Sequence, residues 1–192
     1  AGVRACAGLH PCVRANWGLG MVAGRSLGSR GFEQYLASLD GGGSHCSDMA
    51  GGDEHRHPVL YRVNGRLVKE LPDDFYSTTF YTDRLIEQIE SNEDDGKPFF
   101  AYLSYTAPHW PLQAPDSVIN KYRGQYDLGY DLIRERRFAR QQELGLFPTS
   151  VKAPQRPAYV EPWAQLTDQT RAFHARNMDI YAAMIACRDI SL

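Results

Sequence analysis

Over residues 77–92, Tyr81, Leu85 and Ile89 recur every four positions, with Phe80 and Ile86 beside them and Asp, Arg, Glu and Gln between. That spacing draws an apolar stripe along a helix, and Ser77 or Thr78 is a suitable cap for its start. The run Asn92-Glu93-Asp94-Asp95-Gly96 closes the helix, and Lys97-Pro98 launches residues 99–105, FFAYLSY. This second stretch is apolar on both faces rather than alternating, as expected of a strand inside a parallel sheet covered by helices. Helix, acidic loop and strand together make half of a βαβ unit. Upstream, residues 59–63 and 66–68 flank Asn64-Gly65. Asn-Gly supplies the two positive-φ positions of a type I′ turn, so the three pieces predict a β-hairpin.

Elsewhere the pattern is weaker. Residues 1–30 are rich in glycine and arginine and predict loops with one short strand around 19–23. Gly41-Gly42-Gly43 opens a flexible, polar surface segment that runs to about His57. Residues 116–122 predict a short helix and 131–144 a longer charged one ended by Gly145, whereas Pro148, Pro154, Pro157 and Pro162 impose an extended surface loop. A final helix over about 167–187 is expected to carry Phe173, Ile180, Tyr181, Met184 and Ile185 on one side.

Length and composition add limits. The 192 residues suffice for one sizeable domain, and 43% hydrophobic with 23% charged residues is ordinary for a soluble globular protein. A formal net charge of −2 favours no nucleic-acid partner. No apolar run approaches the ~18 residues that a membrane span needs. The start, Ala1-Gly2-Val3-Arg4-Ala5-Cys6, shows no signal peptide, so a soluble chain of cytoplasm or periplasm is expected, with the compartment open. Cys6, Cys12, Cys46 and Cys187 are irregularly spaced, which fits neither a disulfide framework nor a zinc pattern.

The candidate chemistry lies just past the apolar strand, in Thr106-Ala107-Pro108-His109-Trp110-Pro111. In open α/β sheets, ligands bind beyond the carboxyl ends of the strands, and His109 falls there. Pro108 fixes its own φ and Pro111 restricts Trp110, so the backbone on both sides of the imidazole is stiffened. A packed turn and a preorganised donor to an anion are both consistent with that pattern. Two other clusters have blander readings. Asp53-Glu54-His55-Arg56-His57 has no defined metal-ligand set and reads as a solvated loop. Arg134, Arg136, Arg137 and Arg140 interleave with Asp131, Glu135 and Glu143 at helical spacing, as on an exposed, salt-bridged face.

The segment KPFFAYLSYTAPHWPLQAP, followed by KYRGQYD at 121–127 and Glu143-Leu144-Gly145-Leu146, resembles the central part of bacterial and fungal arylsulfatases, members of the alkaline-phosphatase-like superfamily. Arg30-Gly31-Phe32-Glu33, LPDDFYS at 71–77 with Tyr81-Thr82-Asp83, and MDIYAAM at 178–184 are similar too, so the resemblance runs from about Trp17 to Ile185. It implies an α/β fold, a partial alkaline-phosphatase-like sulfatase domain with a mainly parallel sheet flanked by helices and a β-hairpin excursion. It also implies hydrolysis of small-molecule sulfate esters, with His109 contacting the sulfate group and His45 beside the substrate. Sulfuryl transfer spreads negative charge over peripheral oxygens, and a protonated histidine is a suitable donor to them.

The sequence departs from that pattern in three places. The resemblance implies a formylglycine nucleophile made from the first residue of C-x-P-S-R or S-x-P-S-R. No cysteine begins such a run, and Ser26-Leu27-Gly28-Ser29-Arg30 has glycine for proline and directly precedes Gly31-Phe32-Glu33. Where the family has G-K-W-H-L-G, this chain has Ala15-Asn16-Trp17-Gly18-Leu19-Gly20, without the lysine and the histidine. Single electrostatic donors contribute about 3 kcal/mol, so losing both would slow turnover by several orders of magnitude. A calcium ion is implied as well. Asp73-Asp74 sits at a helix entry rather than in the family's ligand pair, and both ligand sets are expected to lie outside the chain.

The expectation is therefore an incomplete sulfatase catalytic domain over 1–192. Its parts are a degenerate N-terminal portion (1–30), hairpin and helix (31–97), the strand, loop and helix that carry His109 (98–145), and a proline-rich loop with a terminal helix (146–192). The parent activity would be sulfuric ester hydrolysis. The alternative is a catalytically inactive remnant that binds anionic esters or has only a structural role.

Overall fold

The computed structural model describes residues 9–17, 26–51 and 57–191, in two compact units: residues 1–114 with 184–192, and residues 115–183. The short strand expected around 19–23 lies outside the described residues.

The first unit is built on a five-stranded sheet of order β4-β3-β2-β1-β5, with β1 at His10–Asn16, β2 at Gln34–Ser38, β3 at Tyr61–Val63, β4 at Arg66–Val68 and β5 at Phe99–Ser104. β1 pairs in parallel with β2 on one side and β5 on the other, and β2 pairs antiparallel with β3. Asn64 and Gly65 adopt the positive φ values, 46° and 86°, that the hairpin turn requires. The hairpin forms as expected, and its β3 extends the sheet by pairing with β2. Asn64 also locks it to β2: its Oδ1 accepts from the Tyr35 N–H at 2.7 Å, and its own N–H donates to the Tyr35 carbonyl at 3.0 Å.

Alternation of side chains gives the sheet two apolar faces. Val13, Ala15, Tyr35 and Ala37 pack with Leu27 and Phe32 on one. Leu36 and Tyr61 pack with Val59, Phe75 and Tyr81 on the other, against which Leu103 and Tyr105 also lie. Tyr81 belongs to α1 (Ser77–Glu90), whose apolar stripe forms as its spacing predicts, with Tyr81 and Leu85 buried. The expected cap does not form. Tyr76 holds the cap position without a side-chain bond, because the Ser77 hydroxyl is drawn to His45 instead.

β5 corrects the expectation of an interior strand. It lies at the sheet edge, and Phe99, Phe100 and Tyr102 are 54%, 43% and 47% exposed. The continuous apolar pattern signalled a strand but could not say how many neighbours it has. β1 went unread for the converse reason: HPCVRAN holds proline, arginine and asparagine, yet it is an interior strand between β2 and β5. Among the described residues no carboxylate is in hydrogen-bonding contact with its buried Arg14. The guanidinium donates to the carbonyls of Val13 (2.9 Å), Arg84 (3.2 Å) and Gln34 (3.4 Å), and burial lowers its pKa.

The second unit comprises α2 (Asp116–Ile119), α3 (Gly129–Glu143), a 3-10 turn at Trp163–Gln165, and most of α4 (Asp168–Ile190). α3 starts two residues before the expected Asp131, at a glycine with φ +82° where a Cβ would meet the Trp163 ring at 2.2–2.3 Å. Only glycine satisfies both constraints there. In α4 the buried positions are Ala175, Asp179, Ala182, Ala183, Met184 and Cys187. Phe173 and Tyr181, expected on the buried side, are 61% and 37% exposed; the inward stripe is made of small residues instead. No helix among the described residues is long and apolar enough to cross a membrane.

Because Leu36 is buried in the α1-side core and Leu67 is 52% exposed, Leu36→Ala should lower the unfolding free energy by about 2–5 kcal/mol, and Leu67→Ala by less than about 0.5. Urea denaturation of the two variants measures both. Equal losses would mean that the α1-side cluster is not the core.

Candidate active site

Parallel pairing of β2, β1 and β5 brings their carboxyl ends to one edge of the sheet, so the loops that follow β2 and β5 meet there. They enclose a cavity of about 370 Å³, whose lining includes Asp40, Gly42, His57, His109 and Trp110. Asn16 ends β1 at the same edge, paired with Ser38.

His109 faces this cavity with a fixed ring. Its N–H donates to the Thr106 carbonyl at 3.0 Å, and the side-chain Nδ1 donates to the Trp110 carbonyl at 2.7 Å. A carbonyl can only accept, so the proton sits on Nδ1 and Nε2 is left for a ligand. The peptide bonds before Pro108 and Pro111 are both cis. Close approach of the loop after β2 depends on Gly42, where a Cβ would stand 2.5 Å from Cε1 and Nδ1 of His109.

His45 was expected beside the substrate. Its imidazole is instead fully buried and absent from the cavity lining. Nε2 donates to the His109 carbonyl and Nδ1 accepts from the Ser77 hydroxyl, both at 3.0 Å. That pair of partners fixes the neutral Nε2–H tautomer. Burial is the chief cause that lowers the His45 pKa from 6.5, with the His109 imidazole adding to it and the bond to the His109 carbonyl opposing it.

A second residue of the same loop closes the web. Gln113 Oε1 accepts from the His45 N–H (2.7 Å) and the Ser44 hydroxyl (3.2 Å), while its carbonyl accepts from the Tyr76 hydroxyl (3.1 Å). Burial raises the Tyr76 pKa, which keeps that donor protonated. Segments 44–46, 76–77 and 109–113 are thus tied together through side chains, and β5's own exit is held where the Tyr105 and Thr82 hydroxyls meet at 2.6 Å.

Sequence reading missed Asp40, Gly42, His57 and Gln113. His57 stands in a stretch read as a solvated loop, and it does line the cavity. Asp40 Oδ2 is engaged by the Leu60 N–H at 2.7 Å. The glycine triplet at 41–43 was the available signal, read there as flexibility rather than as room for a ring.

The cavity's donors, one engaged carboxylate and two imidazoles, do not fit the oxygen-rich shell of calcium. Among the described residues no group of three His, Cys, Asp or Glu side chains could hold a metal ion. No step is therefore derived through a metal.

An open sheet with helices and a loop-built cavity at its carboxyl edge is a fold of the α/β class. Within that class the chain belongs to the sulfatase family, whose model, described as Sulfatase, matches residues 12–190. It is 39% identical over 193 residues to an uncharacterized sulfatase of Schizosaccharomyces pombe, covering 97% of this chain and 34% of that protein. It is 36% identical over 187 residues to an arylsulfatase of Klebsiella aerogenes, covering 97% and 40%. The chain thus spans about a third to two-fifths of the length of these curated relatives. The fold is similar to the crystal structure of Ps i-CgsB in complex with k-i-k-neocarrahexaose, with a TM-score of 0.56 at 19% identity over 95% of this chain and 32% of that one.

Two outcomes follow from this geometry. Gly42→Ala should push the His109 ring off the Trp110 carbonyl, read as a changed ¹⁵N imidazole spectrum; an unaltered spectrum would show that the loop yields instead. A buried imidazole with a depressed pKa stabilises the fold above the unfolded value of about 6.5, and that contribution disappears as pH falls through the folded value. Unfolding free energy should accordingly drop on acidification below pH 6.5 by up to about 1.4 kcal/mol per pH unit from this group. His45→Gln, which keeps one donor and one acceptor, should flatten that slope in denaturation series between pH 7 and 5. An unchanged slope would assign the acid sensitivity elsewhere.

Proposed function

We propose that His109 is the sulfate-contacting group of a sulfuric ester hydrolase of arylsulfatase type, acting on small-molecule sulfate esters. The observation that supports this reading is the bond from Nδ1 to the Trp110 carbonyl, which fixes the ring of a residue in the cavity wall and leaves Nε2 outside that bond. When protonated, Nε2 donates to a peripheral sulfate oxygen, where charge accumulates as the ester S–O bond breaks. Water supplies the new oxygen on sulfur, and its remaining proton goes to the departing alcohol. His109 binds and balances charge in that reaction; it does not attack. His45 acts one step back, as a positioning residue that holds the main chain of His109 through its carbonyl. Family membership and the arylsulfatase-like relative support the substrate class.

The second reading is an anionic-ester binder without turnover. It is favoured by the lack of any C-x-P-S-R or S-x-P-S-R run in the 192 residues. Titration with 4-nitrophenyl sulfate, followed by calorimetry and by 4-nitrophenol release, separates the two. Saturable binding that weakens about 10- to 100-fold in His109→Ala is expected, the range for one charged hydrogen bond. Release of 4-nitrophenol selects the hydrolase, and binding without release selects the binder. Undiminished affinity in His109→Ala would remove His109 from both.

A further inference from the structure

The second unit holds a larger cavity, about 700 Å³, between α3 and the proline-rich segment 147–156. Both size and lining suit a small organic ligand.

Its wall is pinned rather than loose. From α3, Arg134 donates to the carbonyls of Pro154 (3.0 Å) and Gln155 (3.2 Å), and Gln142 donates to those of Val151 (3.0 Å) and Pro148 (3.2 Å). Asp131 accepts from the Trp163 N–H at 2.9 Å and pairs with Arg156 at 3.7 Å. These contacts turn a stretch that the sequence marks only as extended into a fixed lip beside the helix. Inside, Phe138 and Phe147 stack with ring centroids 5.9 Å apart and planes 26° apart, which offers an aromatic surface to a flat guest.

The charge of the lining is unequal. Arg134, Arg137, Lys152 and Arg156 face Asp131 and Glu135. Asp131 is already spent on Arg156 and the Trp163 N–H, and Arg134 on two carbonyls. Among the described residues Arg137 and Lys152 form no ion pair, and both are exposed, on opposite sides of the cavity: one on the helix, one on the lip. Two uncommitted cations around an aromatic pair select a planar apolar body that bears an anionic head.

We propose that this cavity is a binding site for small aryl anions, separate from the His109 pocket. Its ligand stacks on the phenylalanine pair and sets its anionic group between Arg137 and Lys152. The proposal does not rest on the sulfatase reading, since every residue that would touch the ligand lies within 131–156.

The test uses 2-naphthalenesulfonate, whose C–S bond is not an ester and gives a sulfatase nothing to hydrolyse. Calorimetry on the full chain should show saturable, one-site binding. The double variant Arg137→Gln/Lys152→Gln and the single variant Phe147→Ala should each weaken it about tenfold or more. All these side chains are exposed, and circular dichroism checks that the fold is retained. His109→Ala should leave the affinity unchanged. The neutral analogue 2-naphthalenemethanol should bind at least tenfold more weakly. No saturable binding, affinity indifferent to both cavity variants, or loss of binding in His109→Ala would each overturn the proposal.

Discussion

The site depends on one buried imidazole kept neutral. His45 has a carbonyl on one ring nitrogen and a hydroxyl on the other, so a single proton arrangement satisfies both. Were the ring to gain a second proton, Ser77 would lose its acceptor and a charge would lie in a sealed, low-dielectric place. The His109 backbone hangs from that ring. The exposed imidazole in the cavity wall is therefore held in place through a hidden one, and the hidden one is supported by Ser77 at the head of α1 and by Gln113 on the loop beyond β5.

This arrangement explains why three weakly structured segments converge. None of the stretches 41–46, 76–77 and 109–113 is regular structure over most of its length, and none has an apolar pattern of its own. What orders them is hydrogen bonding between groups far apart in the chain, in a region where unpaired polar atoms are costly. The sheet contributes by setting the ends of β2 and β5 on either side of β1, at a spacing that short loops can bridge.

How much of this could be read from residue order varies with the kind of signal. α1 was legible because Tyr81 and Leu85 keep a helical period, and the hairpin because Asn64-Gly65 meets a backbone requirement that few dipeptides meet. β1 was not, since the burial of Arg14 is decided by carbonyls contributed from β1 itself, from β2 and from α1. The place of His109 on the loop after β5, in the cavity wall, was legible from its position past an apolar run and between prolines. His45 was noticed but given the wrong neighbourhood, because a histidine's burial is set by what packs over it and not by the residues flanking it. Asp40, His57 and Gly42 join His109 only through folding of separate loops, and no local pattern announces that. In α4 the large residues Phe173 and Tyr181 suggested an inward face that small alanines in fact provide, so size misled where spacing alone would have served better.

β5 has a further meaning as a border. Among the described residues its main chain is laddered to β1 on one flank only, and Phe99, Phe100 and Tyr102 are exposed. Such a rim is adhesive: its free amides and carbonyls accept any extended backbone that arrives in register, and its rings reward the contact. The strand that leads into the histidine loop is thus also a border of the sheet that the described residues form, with its aromatic side chains left outside the ladder.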